Sequence, residues 1–369
     1  MGTTREACVV FQPDVVVVGG GLIGLTCATA VAREGLRVLV VSSSERGAAS
    51  AVSAGILAPS VGSPQAAVRR LGCTSRDLYP EYVDTLVART GRPVALDRAG
   101  VLEIARDEPE AISLRQRLQG ESTWIDANAL AGLEPSLAPA QGAALHPLDG
   151  AVDAAALLDA VRAEAEQDPR VSFAITKVTR LDLAPARPVA ELETGARVEA
   201  ATIVLAAGAW AGSVGGLPRA LPVSPARGQI LAFANPGPCH VVMGHRGYLA
   251  RRDNQTLAGS TVEYVGFDSE PTDDGAEQIR DIARELWPAI GTSSQVAHRA
   301  GLRPMTPDLL PIVGKEPDCE GLLYACGHSK NGVLLAPLTA QLIADLVMHG
   351  SSSIDFAPYA PHRFAKPVR

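Results

Sequence analysis

Residues 14–45 read DVVVVGGGLIGLTCATAVAREGLRVLVVSSSE, and this stretch decides the fold. The four valines predict a buried strand, the glycine run predicts a tight turn, and the apolar residues that follow predict a helix leading into a second strand. In such a βαβ unit Gly19 makes the turn, Gly21 lets the backbone approach a pyrophosphate, and Gly24 lets the helix pack on the strand. Because the helix N-terminus attracts phosphate, the stretch predicts a dinucleotide-binding fold.

The end of the second strand departs from the usual pattern, in which a carboxylate binds the ribose hydroxyls. Here Val41 is followed by serines at 42–44 and then by Glu45 and Arg46. Two interpretations stay open at this point. The serine hydroxyls and the arginine could bind the phosphate of a phosphorylated nicotinamide cofactor. Alternatively Ser42, with Ser43 beside it, bonds a ribose hydroxyl more weakly, and the ligand is FAD.

Composition indicates a globular protein with enough chain for two domains, since 47% of its 369 residues are hydrophobic and 20% are charged. The net charge of −7 argues against a nucleic-acid partner. We see no apolar run of the roughly twenty residues that a membrane span needs, and no signal-peptide or myristoylation pattern in MGTTREACVVFQ. We therefore expect a cytoplasmic protein without a membrane partner. The six cysteines form no CxxC pair, which argues against disulfides, redox motifs and thiolate metal sites.

Beyond the first unit, hydrophobic patterning predicts helices alternating with strands and then a strand-rich region. The predicted helices cover 76–90, 124–137 (a short helix ended by Pro135), 154–167 and 275–286, and the predicted strands cover 101–105, 171–176, 186–194 and 196–208. From residue 351 the chain is rich in Ser, Pro and basic residues, so we expect a tail that lies on the surface or frays.

Two further segments have the character of cofactor contacts. TIVLAAGAW at 202–210 is an apolar strand that stops at small residues, which lets a cofactor lie against the backbone. LLYACGHSKNGVLLAPLTAQLIADLVMHG at 322–350 predicts a strand, a glycine turn and a helix of about eighteen residues. Because this helix starts after Asn331 and Gly332, its positive end points at whatever occupies the turn.

Taken in order, the motifs resemble the D-amino-acid-oxidase superfamily of FAD enzymes, most closely its bacterial glycine oxidase branch. The resemblance covers nearly the whole chain, and it depends on the order and spacing of motifs that are individually weak. The matching elements are GGGLIG at 19–24, SAGILAPS at 53–60, TIVLAAGAW at 202–210, RGQI at 227–230, GYLARR at 247–252, AGLRP at 300–304 and GHSKNGVLLAP at 327–337. The resemblance implies one bound FAD, which favours the FAD interpretation of the serines.

The implied fold class is α/β, with a Rossmann-type FAD-binding domain like that of glutathione reductase. A second, α+β substrate domain is built on an antiparallel sheet and covers the flavin. The expected division assigns 1–84, 146–222 and 299–350 to the FAD-binding domain, 85–145 and 223–298 to the substrate domain, and 351–369 to a C-terminal tail.

The resemblance also implies which residues contact the cofactor. Residues 54–56 match a segment beside the reactive edge of the flavin, Val178 matches an adenine contact, and residues 328–334 match a loop and helix start over the pyrimidine half of the ring. A helix N-terminus there would stabilise negative charge on the reduced cofactor. The implied cofactor-binding residues are Gly19, Gly21, Leu22, Ile23, Gly24, Ser42, Ser43, Ala49, Ser50, Ala54, Gly55, Ile56, Val178, Ala207, Gly208, His328, Ser329, Asn331, Gly332, Val333 and Leu334.

Three residues are implied at the substrate. Arg303 matches the family arginine that binds the substrate carboxylate, and its planar fork suits a carboxylate bidentately. Tyr248 matches a tyrosine that hydrogen-bonds the same carboxylate. Lys330 stands where glycine oxidases carry a second arginine, so it keeps the charge but loses the fork. It could hold the carboxylate more loosely, contact a different group of the substrate, or lie against the flavin. Val262 and Arg246 also replace a methionine and a histidine, which leaves the preferred substrate open.

The implied reaction is oxidation of a small amino acid by hydride transfer from Cα to flavin N5, after which the imine hydrolyses and dioxygen gives hydrogen peroxide. With glycine the products are glyoxylate and ammonia, and in the family this feeds thiamine-thiazole synthesis; sarcosine and D-amino acids are other expected substrates. Two alternatives are a flavin dehydrogenase of N-substituted or cyclic amino acids that uses another electron acceptor, and an NADP-dependent oxidoreductase. Relatives suggest a homo-oligomer. Cys239, His240 and His245 lack a fourth ligand, so we expect no metal site.

Overall fold

A computed structural model of the chain describes residues 12–43, 47–62, 66–184 and 186–364. The possible phosphate ligands after the second strand are only partly described, because Ser44, Glu45 and Arg46 lie outside the described residues. The N-terminal segment with Cys8 and the last part of the tail, 365–369, lie outside them as well.

Within the described residues the chain forms seven α-helices and twenty strands. The helices are α1 (Leu22–Arg33), α2 (Ala66–Thr90), α3 (Glu108–Arg117), α4 (Ala127–Leu133), α5 (Ala154–Gln167), α6 (Asp273–Leu286) and α7 (Gly332–His349). The strands are β1 (Val15–Val18), β2 (Val38–Val41), β3 (Ile56–Leu57), β4 (Leu96–Asp97), β5 (Val101–Ala105), β6 (Thr123–Asp126), β7 (Gly142–His146), β8 (Gly150–Val152), β9 (Val171–Ala174), β10 (Val178–Asp182), β11 (Val189–Leu192), β12 (Arg197–Glu199), β13 (Thr202–Leu205), β14 (Ser224–Phe233), β15 (Val241–Met243), β16 (Tyr248–Arg252), β17 (Gln255–Gly259), β18 (Gln295–Met305), β19 (Ile312–Lys315) and β20 (Leu322–Cys326).

The first sheet is the dinucleotide-binding sheet that residues 14–45 predict. Its six strands run in the order β19-β20-β13-β1-β2-β9, and all neighbours are parallel except the edge pair β19–β20. Helices α1, α2, α5 and α7 share one apolar core with β1 and β2, and strands β10–β12 cover the other face. The next strand of this sheet along the chain, β2, lies on one side of the central strand β1, and the later strand β13 lies on the other side. A crevice therefore opens at the carboxyl end of β1, where the glycine turn lies.

The second sheet is largely antiparallel, as the resemblance implies for the substrate domain. Its eight strands run in the order β18-β14-β17-β16-β15-β5-β7-β6, with β15–β5 as the parallel pair. The long strands β14 and β18 pair from Ser224 opposite Met305 to Phe233 opposite Gln295. Helix α6 packs on this sheet through Ile279, and its carboxyl end contributes Leu286 to the same core. The α/β fold with a Rossmann-type part and a second, sheet-based part is thereby confirmed.

Two predicted helices have different bounds in the structure. The predicted helix over 124–137 is wrong in its first residues, because Thr123–Asp126 pairs with β7 as a strand before α4 begins. The side chain of Asp126 ends the strand by accepting the N–H of Ala129 (2.9 Å), which is an N-cap bond. Helix α2 starts at Ala66, ten residues' length earlier in the chain than the predicted start near 76.

The predicted domain boundaries stay a prediction, although the elements near them can be described. Strand β18 runs through the expected boundary between 298 and 299, and helix α2 runs through the one between 84 and 85. The tail after residue 351 does pack on the described chain: Tyr359 is buried, and Arg363 donates to Asp308 Oδ2 (2.8 Å) and to the Leu310 carbonyl (2.9 Å).

Helix α7 corrects the expectation that no segment has the length and hydropathy of a membrane span. Its eighteen residues reach a mean hydropathy of 1.5, and 61% of them are buried inside the protein. Residues such as Leu335 and Ile343 belong to the core that α7 shares with α1. The helix is therefore apolar because it lies between other elements of the fold. Its length and hydropathy are only weak evidence for a membrane partner.

Candidate active site

One cavity of about 1020 Å³ receives residues from both sheets. Its polar and small residues come from the glycine turn, the segment around residue 50, the ends of β13 and β20, and the β14–β18 pair. The predicted site residues that line it are Gly19, Gly21, Ile23, Ser42, Ser43, Ala49, Ser50, Ala54, Gly55, Ile56, Val178, Ala207, Gly208, Tyr248, Arg303, His328, Ser329, Lys330, Asn331, Gly332, Val333 and Leu334. Leu22 and Gly24 do not line it.

The glycine turn has the shape that a pyrophosphate site requires. A Cβ on Gly24 would lie 1.9 Å from the Gly19 carbonyl oxygen, so Gly24 serves close packing of α1 on the turn. Leu22 donates its N–H to Ser50 Oγ (3.0 Å), and Gly21, at the N-cap position of α1, has no side chain to cap the helix. The remaining donors of the first turn, with the Ser50 hydroxyl, could hold an anion in the cavity.

The serines after β2 lie beside this turn. Ser42 donates its N–H to the Ala174 carbonyl (3.0 Å) and its hydroxyl to the Ser43 carbonyl (3.3 Å). A Cβ on Gly20 would come within 2.7 Å of Ser42 Oγ, so the hydroxyl lies directly over the glycine turn. Ser42 and Ser43 could therefore reach a ribose, while Val178 of β10 forms another part of the same cavity wall.

The segment around residue 55 is fixed so that its backbone faces the cavity. The Gly55 N–H bonds Ser53 Oγ (3.1 Å), and the Gly55 carbonyl accepts the N–H of Val152 (2.8 Å). Ala54 is buried, and Ile56 begins β3, which pairs with β8. Small residues and an anchored backbone let a flat ring lie against this wall.

The start of α7 places the positive end of a helix dipole at the cavity. Ser329 donates its N–H to the Pro304 carbonyl (2.9 Å), which ties the loop before α7 to β18. Gly332, Val333 and Leu334 form the first turn, and their N–H groups have no acceptor within the helix. All three line the cavity, so the positive end of the helix dipole acts on whatever occupies it.

His328 lies in the same loop, and its buried ring stays neutral at neutral pH. Its ring is 2% exposed and its Nε2 lies 3.1 Å from Thr339 Oγ1 of α7. Burial lowers the pKa of His328 to about 3, so the ring is neutral in the folded protein at neutral pH. His328 therefore shapes the loop as a neutral group and is not a candidate acid or base.

We predict that His328→Gln flattens the acid side of the stability profile. The unfolded chain protonates histidine near pH 6.5 and the folded chain only near 3, so the unfolded state binds more protons in between and stability falls as pH falls through this window. Glutamine cannot bind that proton. The slope of the unfolding free energy against pH should therefore decrease by up to about 1.4 kcal/mol per pH unit, the contribution of one proton. Urea unfolding between about pH 6.5 and 4.5 measures it, with exposed His362→Gln as the control. Equal slopes in wild type and His328→Gln would contradict the assignment.

Arg303 lies in the cavity with most of its donors free. Its Nη1 donates to the Thr261 carbonyl (2.8 Å) and its Nη2 to Ser260 Oγ (2.9 Å). The Tyr248 hydroxyl lies beside them, since a Cβ on its strand partner Gly259 would be 2.6 Å from that oxygen. Burial raises the pKa of Tyr248 and lowers that of Arg303, so the phenol is a donor, and the guanidinium stays charged as in proteins generally.

The other buried arginines of the described chain are neutralised by carboxylates. Arg219 bonds Glu316 (2.6 Å), Arg76 bonds Asp149 (2.7 Å), and the half-buried Arg252 bonds Asp153 (3.0 Å). Among the described residues, no Asp or Glu lies within ion-pair distance of Arg303, and none lines the cavity. Since a partly buried charge is costly without a partner, this cation is suited to a ligand that brings a carboxylate.

The three departures from glycine oxidases have different surroundings. Lys330 is exposed at the cavity, one residue after the Ser329 bond to β18. Arg246 also borders the cavity but pairs with Glu285 (3.1 Å). Val262 is 57% exposed on the segment that follows Ser260. These three side chains therefore lie at the rim of the cavity.

We predict that Gly228→Ala displaces Arg303 while leaving the fold in place. A Cβ on Gly228 would lie 2.2 Å from Cζ of Arg303, so the guanidinium, a flexible side-chain end, must move. We expect the KM for a carboxylate substrate to rise about tenfold or more, since a displacement near 1 Å is costly at a reacting centre. Steady-state kinetics and thermal unfolding measure the two effects. An unchanged KM would contradict the role of Gly228 as space for Arg303.

Other residues of the site carried little signal in the sequence. Gly228 lies within RGQI, but only the structure reveals that its missing side chain makes room for Arg303. Ser260 becomes visible only through its bond to Arg303. Trp210 borders the cavity and stacks on Phe267 at 5.8 Å between ring centres, a contact between segments far apart in sequence. His240 Nδ1 bonds Glu134 Oε1 (2.7 Å), and the described residues hold no cluster of His, Cys, Asp and Glu arranged for a metal.

Comparison with known proteins identifies the family. The sequence profile described as FAD dependent oxidoreductase (DAO) matches residues 14–346. The chain belongs to this FAD-dependent oxidoreductase family. It is 36% identical over 360 residues to the glycine oxidase of Pseudomonas putida, covering 94% of this chain and 98% of that protein. It is 33% identical to the bifunctional protein ThiO/ThiG of Synechocystis sp., covering 95% of this chain and 54% of that protein.

A solved structure agrees with this family membership. The glycine oxidase of Geobacillus kaustophilus superposes with a TM-score of 0.91 at 30% identity, covering 96% of this chain and 99% of that one. As a member of the FAD-dependent oxidoreductase family the chain uses FAD, and it is an oxidase of the amino-acid type. The NADP alternative is therefore excluded as the cofactor assignment. The cavity fits FAD, because its glycine turn, its anchored wall around Gly55 and the start of α7 together offer room and donors for an extended dinucleotide.

Proposed function

We propose that this FAD-dependent oxidase deaminates glycine or another small amino acid to a 2-oxo acid, ammonia and hydrogen peroxide. The observation that carries the proposal is Arg303, a cation without a carboxylate partner among the described residues, in a cavity that no described Asp or Glu lines. A simple amine would find no anion here, whereas an amino acid brings the carboxylate that this cation lacks. Glycine oxidases among the relatives support the choice of a small substrate.

In this proposal Arg303 holds the substrate carboxylate with its free N–H groups, and Tyr248 donates a further bond. Because Arg303 is positively charged and no described Asp or Glu lines the cavity, the substrate amine is favoured in its neutral form, which leaves no need for a side-chain base. Positioning of Cα is then the main contribution of these side chains. When bound, FAD would accept two electrons from the substrate and pass them to dioxygen.

The proposed cofactor contacts are the predicted residues that line the cavity, from Gly19 to Leu334. Ser42 and Ser43 are proposed at the ribose, Ser50 with the start of α1 at the pyrophosphate, and the start of α7 at the flavin. Leu22 and Gly24 act through the shape of the glycine turn. Lys330 is proposed at the rim, near the substrate, where its single charge is less selective than a guanidinium fork.

The test is the visible spectrum of the purified protein during anaerobic additions of glycine, sarcosine, D-alanine and D-proline. We expect a flavin band that one of these compounds bleaches and that air restores, with hydrogen peroxide formed. A band that no compound bleaches would contradict the proposed substrate class. Bleaching that air does not reverse would favour the dehydrogenase alternative, with a different electron acceptor.

A cytoplasmic location and a homo-oligomeric state are also proposed, without a nucleic-acid or membrane partner. The acidic net charge of −7 argues against a nucleic-acid partner, and the position of α7 in the core argues against a membrane partner. Light scattering on the eluted protein would give the mass of the assembly, and a monomer mass would contradict the oligomer.

A further inference from the structure

Both protein acceptors of the Arg303 guanidinium come from one short segment. Nη1 donates to the Thr261 carbonyl and Nη2 to Ser260 Oγ, in the segment that follows β17. A guanidinium on a long side chain has many rotamers, so its direction depends on where these two acceptors lie. The position of the 260–261 backbone therefore sets the direction in which the free donors of Arg303 point.

That backbone is tied to β14 through Glu263. Glu263 and Arg227 exchange both backbone hydrogen bonds (2.8 and 2.9 Å). Their side chains form a forked ion pair, with Arg227 Nε and Nη2 at 3.0 and 2.6 Å from Glu263 Oε2. The Arg227 guanidinium is buried, so this pair is shielded from water on the arginine side.

The second carboxylate oxygen of Glu263 holds the acceptor segment itself. Glu263 Oε1 accepts from Thr261 Oγ1 (2.5 Å) and from Gln229 Nε2 (2.8 Å). Thr261 Oγ1 in turn accepts the N–H of Gln229 (3.0 Å), so the threonine is bonded from two sides. Burial raises the pKa of Glu263, but these donors and Arg227 more than offset it, so the pKa lies below its ordinary value and the group is ionised.

The arrangement also keeps the Glu263 carboxylate from forming an ion pair with the Arg303 guanidinium. Arg227 satisfies the charge of Glu263, and Asp268 (2.8 Å) adds a second carboxylate to Arg227. Glu263 is near enough to act electrostatically on Arg303 but makes no ion pair with it. Because Arg227 holds Glu263, the carboxylate position on Arg303 stays open for a ligand.

We propose that Glu263 is a positioning residue for substrate binding: through Arg227, Gln229 and Thr261 it fixes the 260–261 backbone that aims Arg303 at the substrate carboxylate. The inference rests on the proposed function, since it presumes a carboxylate on Arg303. It adds residues that contact neither substrate nor cofactor. Asp268 provides the comparison, because it bonds the same arginine but no acceptor of Arg303.

The experiment compares Glu263→Gln with the matched variant Asp268→Asn, both as FAD-loaded full-length protein. Glycolate, a carboxylate of the size of glycine, is titrated while the flavin spectrum is recorded, and steady-state kinetics are measured with the amino acid that reduces the enzyme. For Glu263→Gln we expect the glycolate Kd and the KM to rise about 10-fold to 100-fold, with a smaller change in kcat. Asp268→Asn should change the Kd by about twofold or less, because its side chain is exposed. Glu263→Asp should restore part of the affinity.

Each outcome decides between the two ideas. If the wild-type spectrum responds to no carboxylate, the proposed function and this inference both fail. If wild type and Glu263→Gln bind glycolate equally, or if Asp268→Asn weakens binding as much, only this inference is overturned. Should Glu263→Gln fail to fold, Thr261→Val removes the hydroxyl between Glu263 and Gln229 at nearly constant volume. We expect a rise in the glycolate Kd there too, and an unchanged Kd overturns the inference.

Discussion

Replacing Arg303 with alanine lowers kcat/KM by about 100-fold to 1000-fold while FAD stays bound. The guanidinium is held by Thr261 and Ser260, and no described carboxylate neutralises it. Removing one partner of a desolvated, hydrogen-bonded charge pair costs about 2–5 kcal/mol, and each 1.4 kcal/mol is a factor of ten. The loss should appear in KM and in the rate of flavin reduction, because the same bonds place Cα for the reaction.

Two variants make this prediction specific. Arg299→Ala removes an exposed arginine from the same strand β18 and should leave the kinetics unchanged. Arg303→Lys keeps the charge but not the fork, so its kcat/KM should fall between those of wild type and Arg303→Ala. Stopped-flow flavin reduction and steady-state oxygen consumption measure the effects. Normal turnover by Arg303→Ala would remove Arg303 from the substrate site and with it the main support for the proposed function.

The fold could be predicted from the sequence because its decisive signals are local. Val15–Val18 and the glycine turn specify strand, turn and helix within residues that are neighbours in the chain, and the parallel pairing of β1 with β2 follows from that unit. The bounds of α4 were predicted less well. Asp126 can cap a helix only if the residues before it leave the helix, and here pairing with β7 decides that they do.

The site could be predicted as a set of residues but not as an arrangement. The resemblance named Arg303 and Tyr248, and the structure brings both to one cavity with the glycine turn. The motif RGQI contains Gly228, but nothing local reveals that Gly228 makes room for Arg303, or marks Ser260 and Glu263, because these roles depend on contacts between segments far apart in sequence. Such long-range contacts, and the ion pairs that hold them, are what a one-dimensional pattern omits.

The second large effect is expected at the cofactor: Gly19→Ala yields protein that is largely free of FAD. Gly19 has φ +118°, which alanine adopts only with strain of about 1–3 kcal/mol. A Cβ there would also lie 2.3 Å from the Ala206 carbonyl oxygen, and that oxygen belongs to backbone that cannot rotate away. The turn must therefore shift, and the first-turn donors of α1 shift with it. We expect the flavin absorbance per protein to fall about tenfold or more, since each 1.4 kcal/mol of lost binding is a factor of ten.

Gly35→Ala separates backbone strain from the loss of the site. Gly35 lies just after α1 with φ +92°, and its added Cβ would meet no atom within 4 Å. This variant should cost about 1 kcal/mol of stability and keep its FAD, because strain there does not reach the glycine turn. Flavin content and thermal unfolding, measured for both variants, distinguish loss of the pyrophosphate site from general destabilisation. If both bind FAD like wild type, the glycine turn does not form the pyrophosphate site, and if both lose it equally, general destabilisation rather than the turn is the cause.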